Sequence, residues 1–244
     1  MKLYLHLKTL LQRFGYDIRY HRPFYPTIVQ PLGIQTILDV GANNGHYSKE
    51  MTKLFPNATV YSFEPLIDCF KEIEILAKTN PNIHPFHCAL GDQNTSQDID
   101  RNTFHPSSSI LPMTTLHTTL YPKSIGSTKE HIVVKRLDDI AKTLTLTTPL
   151  LVKIDVQGYE DKVIEGGAET LKKADIILVE TSFFTLYKGQ PLFNAIAEKL
   201  SGLGFSYYGS YHTHYSAKTG HPLYEDSVFI SRNVQKKFEA AELN

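Results

Sequence analysis

The apolar positions along this chain switch period repeatedly between about two and about 3.6, the pattern of alternating strands and helices. Ile37, Leu38 and Val40 form a short apolar run that reads as a buried strand. Tyr47, Met51, Leu54 and Phe55 then recur at i, i+4, i+7 and i+8, one face of a helix. "ATVYSFEP" predicts a second strand ending at Glu64 and Pro65. "LIDCFKEIEILAKTN" predicts a helix with Leu66, Phe70, Ile73 and Ala77 on one side and Pro81 as its stop. "IHPFHCALGD" reads as a third strand closing on Gly91 and Asp92.

From about 93 to 130 the regular pattern stops. Ser, Thr, His and Pro dominate, with short apolar pieces such as "SSSILPM". The segment is too long for a plain connector and reads as an insertion carrying function. Alternation resumes with "HIVVKRLDDIAK", a strand running into a short helix, and with the buried strand "PLLVKIDV". "GYEDKVIEGGAETLKKA" is helical with a Gly-Gly interruption, and "DIILVETS" is a further strand. The helix "PLFNAIAEKLSGLG" follows, with Leu192, Ile196, Leu200 and Leu203 in register. The end differs, because "FSYYGSYH" and "DSVFISR" are strands with no helix between them and predict an antiparallel pair. Alternating β and α units argue for a doubly wound sheet. An antiparallel ending resembles the class I methyltransferase (Rossmann-like) fold, with a mostly parallel seven-stranded sheet, more than a plain dinucleotide-binding fold. The expected organisation is an N-terminal lead-in over 1–33 and a domain over 34–244, interrupted by the insertion.

In that lead-in, Leu3, Leu7, Leu10, Leu11 and Phe14 share a helical face, surrounded by Lys2, Lys8, Arg13, Arg19 and Arg22. No ordinary secretory signal is expected, because His6 and Lys8 interrupt the apolar region and no small-residue cleavage site follows. Two readings are open: a helix that packs on the domain or closes over its site, and a basic amphipathic helix on a membrane surface. Composition narrows the partners further. Lys plus Arg and Asp plus Glu are 25 each among 244 residues, so there is no global electrostatic footprint for nucleic acid. Thirteen Phe and 14 Tyr serve a sizeable core, and no apolar run is long enough to span a bilayer. Only Cys69 and Cys88 are present, which fits a reducing, cytoplasmic setting, with the inner membrane face as the one alternative. Oligomeric state is not readable.

The turn "DVGANNG" carries the first chemical signal. Asp39, Gly41 and Gly45 do not match the dinucleotide fingerprint, whose glycines stand at positions 1, 3 and 6, and no Lys-Ser or Lys-Thr follows as in a P-loop. The wider spacing, with Asn43 tolerating left-handed geometry, suits a cofactor with a zwitterionic amino-acid tail. S-adenosylmethionine has such a tail. Glu64 ends the second strand, where an acid takes both ribose hydroxyls, a role that serves nicotinamide cofactors equally. Asp92 is open to two readings, an acceptor for the adenine amino group or an ordinary turn aspartate. Leu90 stands beside it on the cofactor side.

In order and spacing, "DVGANNGHYS", "YSFEP", "ALGD", "SSSIL", "VKRLDDI" and "LVKIDVQGYE" resemble the FkbM-type methyltransferase family over roughly residues 34–232. The resemblance implies S-adenosylmethionine as cofactor and O-methylation of a hydroxyl on a sugar, glycan or other secondary metabolite. A nicotinamide-dependent oxidoreductase and a non-catalytic scaffold of the same fold stand as alternatives.

Lys153 is the anomaly inside "PLLVKIDV". It shares a strand face with Asp155, and a buried ammonium needs an acidic partner, either Asp155 or Glu180. The pair is read as catalytic rather than merely structural, with Asp155 the first choice of base, a histidine the second, and Glu180 an orienter. Glu160 reads as a helix-terminus acid. His105, Ser108 and Ser109 of the insertion are candidates for acceptor recognition. His212 and His214 alternate on a strand without a third ligand, so no metal is expected.

Overall fold

The computed structural model describes residues 11, 13, 25–102 and 105–243. The chain divides into two compact units, Met1–Leu32 and Gly33–Asn244. In the first, the described residues form a π-helical turn over Tyr25–Val29 and a 3-10 turn over Gln30–Leu32. The expected amphipathic helix lies outside the described residues but for Leu11 and Arg13.

The second unit holds β1 (Thr36–Val40), β2 (Thr59–Phe63), β3 (Ile83–Phe86), β4 (Ala89–Leu90), β5 (Thr95–Asn102) and β6 (Ser127–Lys135). It continues with β7 (Leu150–Ile154), β8 (Ile176–Ser182), β9 (Phe205–Tyr215) and β10 (Pro222–Ser231). Its helices are α1 (His46–Leu54), α2 (Ile67–Thr79), α3 (Thr115–Leu120) and α4 (Leu137–Ile140). After these come α5 (Glu160–Gly166), α6 (Ala168–Leu171), α7 (Phe193–Gly202) and α8 (Arg232–Glu242). Seven strands form one sheet in the order β3-β2-β1-β7-β8-β10-β9. All pairs are parallel except those of β10, which runs antiparallel to β8 and β9. This is the expected mostly parallel sheet with its antiparallel C-terminal hairpin.

Strands β1, β7 and β8 are apolar on both faces because both faces are covered. Leu38, Val40, Val152, Ile154, Ile177 and Val179 join one core cluster with Val163, Leu171, Ile196 and Leu200 of the helices. Each such side chain contributes about 1.5–3 kcal/mol when fully buried. The strand order places the switch of direction between β1 and β7. A crevice opens beyond the carboxyl ends of those two strands, where ligands bind in open α/β sheets. Their tips are stitched together, Asp155 N donating to Val40 O at 3.0 Å and Gly41 N to Phe63 O at 3.1 Å.

Two sequence expectations need correction. The third strand is not continuous: β3 stops at Phe86, Cys88 N turns back onto Phe86 O at 3.0 Å, and β4 joins a different sheet. Pro85, lacking an N–H, is tolerated because β3 is the edge of the main sheet. The irregular stretch also contains regular structure. Strand β5 pairs antiparallel with β6, which starts at Ser127 and forms with β4 a second, three-stranded sheet. Only Ile99 and Asn102 of β5 are buried, so its period of two has almost no apolar signal to carry it.

Candidate active site

At the switch point lies a cavity of about 490 Å3, within the range of small-molecule sites. One end is made by the turn after β1 and the tip of β2. Gly41 has φ +77, and a Cβ there would stand 1.9 Å from the Asp155 carbonyl oxygen, so only glycine lets this turn lie against the β7 tip. Asn43 adopts φ 48 and donates its backbone N–H to Glu64 Oε2 at 2.8 Å, while Leu66 N donates to Oε1 at 2.9 Å. Burial raises the Glu64 carboxyl to about 7, against the pull of those two bonds. Gly41, Asn43, Glu64 and Leu90 all line the cavity.

Three expected cofactor residues do not. Gly45, at φ 76, precedes α1, and its missing Cβ leaves room for Ile73 and Leu76 of α2. Asp39 lies buried below the turn, where Ser48 Oγ donates to Oδ2 at 2.6 Å and Oδ1 has no hydrogen-bond partner among the described residues. Burial raises its pKa, with Lys153 and Ser48 opposing. Asp92 accepts from Lys162 Nζ at 3.1 Å, away from the cavity.

At the other end, Lys153 Nζ meets Asp155 Oδ2 at 3.1 Å and lies 5.4 Å from the centre of the Tyr47 ring. The Gln157 amide donates to Asp155 Oδ1 at 2.9 Å and to Glu180 Oε1 at 3.1 Å. Burial alone would raise the Asp155 pKa, but Lys153 and the bonds from Gln157 and Lys153 hold it below the usual carboxylate range. Glu180 is pushed well above its usual value by burial and by Asp155, Glu160 and Asp226 around it. It stands two residues inside β8 rather than at its end, opposite Asp226 of β10. Glu160 accepts the N–H groups of Val156 and Gly158 at the start of α5, and burial brings its carboxyl to about 7.

The insertion reaches the same cavity. His105 and Ser108 line it, with His105 Nδ1 held 3.2 Å from Cys69 Sγ and Ser108 Oγ accepting Asn102 N at 2.9 Å. Ser109 is buried away from the cavity and donates to Gln157 O at 2.6 Å, pinning a residue at φ 55. Residues missed by sequence reading complete this end. His117 is engaged through both ring nitrogens, with Ser124 Oγ at 3.1 Å and the Tyr187 hydroxyl at 3.2 Å. That hydroxyl donates to Gln157 Oε1 at 2.8 Å. Tyr121, His214, Tyr224 and Asp226 also line the cavity. The helical spacing of His117 and Tyr121 was the one available signal for that pair. No group of three or more His, Cys, Asp or Glu among the described residues is arranged to hold a metal ion.

The family model of the methyltransferase FkbM domain matches residues 39–207. A curated relative, the 2-O-methyltransferase NoeI of Sinorhizobium fredii (strain NBRC 101917 / NGR234), is 29% identical over 201 residues. The alignment covers 75% of this chain and 77% of that protein. A solved methyltransferase FkbM from Methylobacillus flagellatus KT aligns at TM-score 0.49 and 12% identity, covering 81% of this chain and 44% of that one. The chain thus spans less than half of that structure. Aeropyrum pernix fibrillarin, solved with natively bound S-adenosyl-L-methionine, aligns at TM-score 0.48 and 10% identity, covering 82% and 67%. The chain belongs to the FkbM methyltransferase family, and it is a methyltransferase.

Proposed function

We propose that this member of the FkbM methyltransferase family uses S-adenosylmethionine to methylate a hydroxyl of a sugar, glycan or sugar-like secondary metabolite. The observation that carries the reading is one cavity with two unlike ends. A backbone turn with an acid after β1 and β2 faces a polar wall centred on Asp155 after β7. The name of the curated relative, a 2-O-methyltransferase, supports oxygen as the acceptor atom.

The donor set fits the cofactor. The Gly41–Asn43 backbone would receive the methionine tail, Glu64 the ribose, and Phe63, Leu66 and Leu90 offer apolar wall for the adenine. When bound, S-adenosylmethionine supplies a methyl group already activated on a sulfonium, so much of the acceleration can come from alignment. Asp155 would accept the hydrogen bond of the acceptor hydroxyl and set its direction. Lys153 keeps Asp155 ionised, and Gln157 fixes its plane relative to Glu180. A carboxylate held this firmly in the charged form is a strong hydrogen-bond acceptor and a weak proton sink. It therefore suits orientation better than the base role expected from sequence. Glu180, with its raised pKa, can donate to a second hydroxyl. The lead-in resting on an inner membrane face remains a proposal; among the described residues no helix is long and apolar enough to cross a membrane.

The test is isothermal calorimetry with S-adenosylmethionine, S-adenosylhomocysteine and NADH, followed by transfer of labelled methyl to a set of methyl pyranosides. Binding of the first two ligands without NADH, and label in an alkali-stable ether, is the expected result. Binding of NADH alone would overturn the reading in favour of the oxidoreductase. Cofactor binding with label only on nitrogen or sulfur acceptors would overturn the oxygen assignment.

A further inference from the structure

Four histidines among the described residues line the cavity: His46, His105, His117 and His214. Three have at least one ring nitrogen engaged elsewhere. His46 Nε2 lies 3.3 Å from Glu50 at the exposed start of α1, and His105 Nδ1 faces Cys69. His117 has both nitrogens engaged, so it can neither take nor release a proton without breaking a buried bond. The His214 ring has no hydrogen-bond partner among the described residues. It is nevertheless held in place. The ring stacks on Tyr224 at 4.3 Å with the planes 17° apart, and His212 meets it edge-on at 4.4 Å. An imidazole that lines the cavity, oriented by two rings and with no hydrogen bond to a described residue, is organised for a task that the fold itself does not use.

Its neighbours define that task. Asp155 has one oxygen on Lys153 and the other on Gln157. Asp155 and His214 share the cavity and influence each other's charge. From β10, Tyr224 and Asp226 face the ring's strand, Asp226 standing opposite His212 in the ladder. From β7 and β8 come Lys153, Asp155 and Glu180.

We propose that His214 is the catalytic residue that takes the proton of the acceptor hydroxyl, while Asp155 orients that hydroxyl. The proposal rests on the methyltransferase reading above. As the acceptor oxygen bonds to the methyl carbon, its proton passes to a free His214 nitrogen. The methyl–sulfur bond breaks, leaving its electron pair on sulfur. The sulfonium charge is replaced by one imidazolium charge, and release of that proton to solvent resets the ring. Burial, and then His212, lower the His214 pKa while Asp155 opposes them, so the ring is neutral and ready at pH 7.

The experiment compares parent, His214→Phe and Asp226→Asn, with the best methyl pyranoside acceptor and S-adenosylhomocysteine affinity as controls. Phenylalanine keeps a ring against Tyr224 but takes no proton. The expected result is a loss in kcat of about 100-fold or more, with KM within about threefold. In the parent, with S-adenosylmethionine saturating at every pH so that Glu64 does not contribute, kcat/KM for the acceptor falls as pH drops through a value below about 6.5. That limb is absent in His214→Phe and kept in Asp226→Asn, which separates it from the Asp226 carboxyl, raised by burial and Asp155 to about 6. A raised KM with kcat intact would reduce His214 to a stacking platform and overturn the proposal, as would an unchanged rate. Imidazole 15N spectra of the parent saturated with S-adenosylhomocysteine give a readout without turnover. A neutral His214 at pH 7 is expected, and a charged ring at pH 7.5 would overturn the assignment. Failure of the parent to bind S-adenosylhomocysteine would strike the methyltransferase reading instead.

Discussion

Where Gly41 and Asn43 line the cavity, the wall is backbone, clamped between the tips of β1, β2 and β7. Where Gln157, Glu180 and His214 line it, the wall is side chains drawn from segments up to about 60 residues apart, Gln157 bonded to Glu180 and His214 stacked on Tyr224. On the proposed reading, the first kind of wall receives what every turnover has in common, and the second can change acceptor by exchanging side chains without disturbing the sheet. Rigidity at one end and replaceability at the other follow from where each stands relative to the core.

The largest effect should come from removing that rigidity. In Gly41→Ala the new Cβ would overlap the Asp155 carbonyl oxygen, in a left-handed conformation that alone costs about 1–2 kcal/mol. S-adenosylhomocysteine affinity should fall at least about 100-fold, with a lower unfolding free energy. Gly33→Ala is the matching control: φ is +64, but no described residue stands within 4 Å of the added carbon. It should cost about 1–2 kcal/mol of stability and no affinity. If both variants bind alike in calorimetry, the turn is as yielding as an open loop and the contrast between the two ends fails.

The same contrast decides what could be read from sequence. The cofactor end is legible because one contiguous run, Ile37 to Met51, passes from apolar strand through glycine turn to helical period. Lys153 was legible too, since a charge inside a doubly covered strand demands a partner, and Asp155 is that partner. The acceptor end is not local. Tyr187, His117 and Gln157 form one hydrogen-bonded chain, yet no spacing rule links positions 117, 157 and 187. His214 was visible only as half of an alternating pair. Strand β5 was hidden for a different reason, its ladder being made by backbone groups under a nearly all-polar sequence. Gly45 shows that a motif glycine can serve packing against a neighbouring helix, which a spacing argument does not distinguish from contact with a ligand.

A middle-sized effect should separate Glu64 from the rest of its wall. Its carboxyl rises from 4.5 to about 7 on folding. The folded chain thus holds this proton more tightly, so the stabilisation is complete below pH 4.5 and disappears as pH rises through 7. At 1.36 kcal/mol per unit the change is about 3 kcal/mol. Glu160 and Asp226 are also raised and titrate in overlapping windows, so the readout is the difference between parent and Glu64→Gln. Urea unfolding at pH 5 and pH 8 should show a smaller loss of stability with pH in the variant. The ionised carboxylate is the better acceptor for ribose hydroxyls. S-adenosylhomocysteine should therefore bind the parent more tightly as pH passes 7, and bind Glu64→Gln about tenfold more weakly at pH 8. An affinity that ignores both pH and the substitution would remove the ribose role.

The smallest effect is expected at Asp92, where sequence left two readings open. Its carboxylate is taken by Lys162, which also holds Glu165 at 3.0 Å, and it does not line the cavity, whereas Leu90 two residues earlier does. The adenine end is then defined by shape and apolar contact more than by a side-chain acceptor. Asp92→Asn should leave S-adenosylhomocysteine affinity within about twofold and cost at most about 1 kcal/mol, the usual worth of an exposed ion pair. A sharper version compares S-adenosylhomocysteine with S-inosylhomocysteine, which lacks the adenine amino group. If Asp92 accepts from that group, the parent should prefer the adenosyl ligand and Asp92→Asn should lose the preference. If the preference is the same in both proteins, whatever reads the amino group is not this carboxylate, and adenine is left to the apolar wall of Phe63, Leu66 and Leu90 proposed for it.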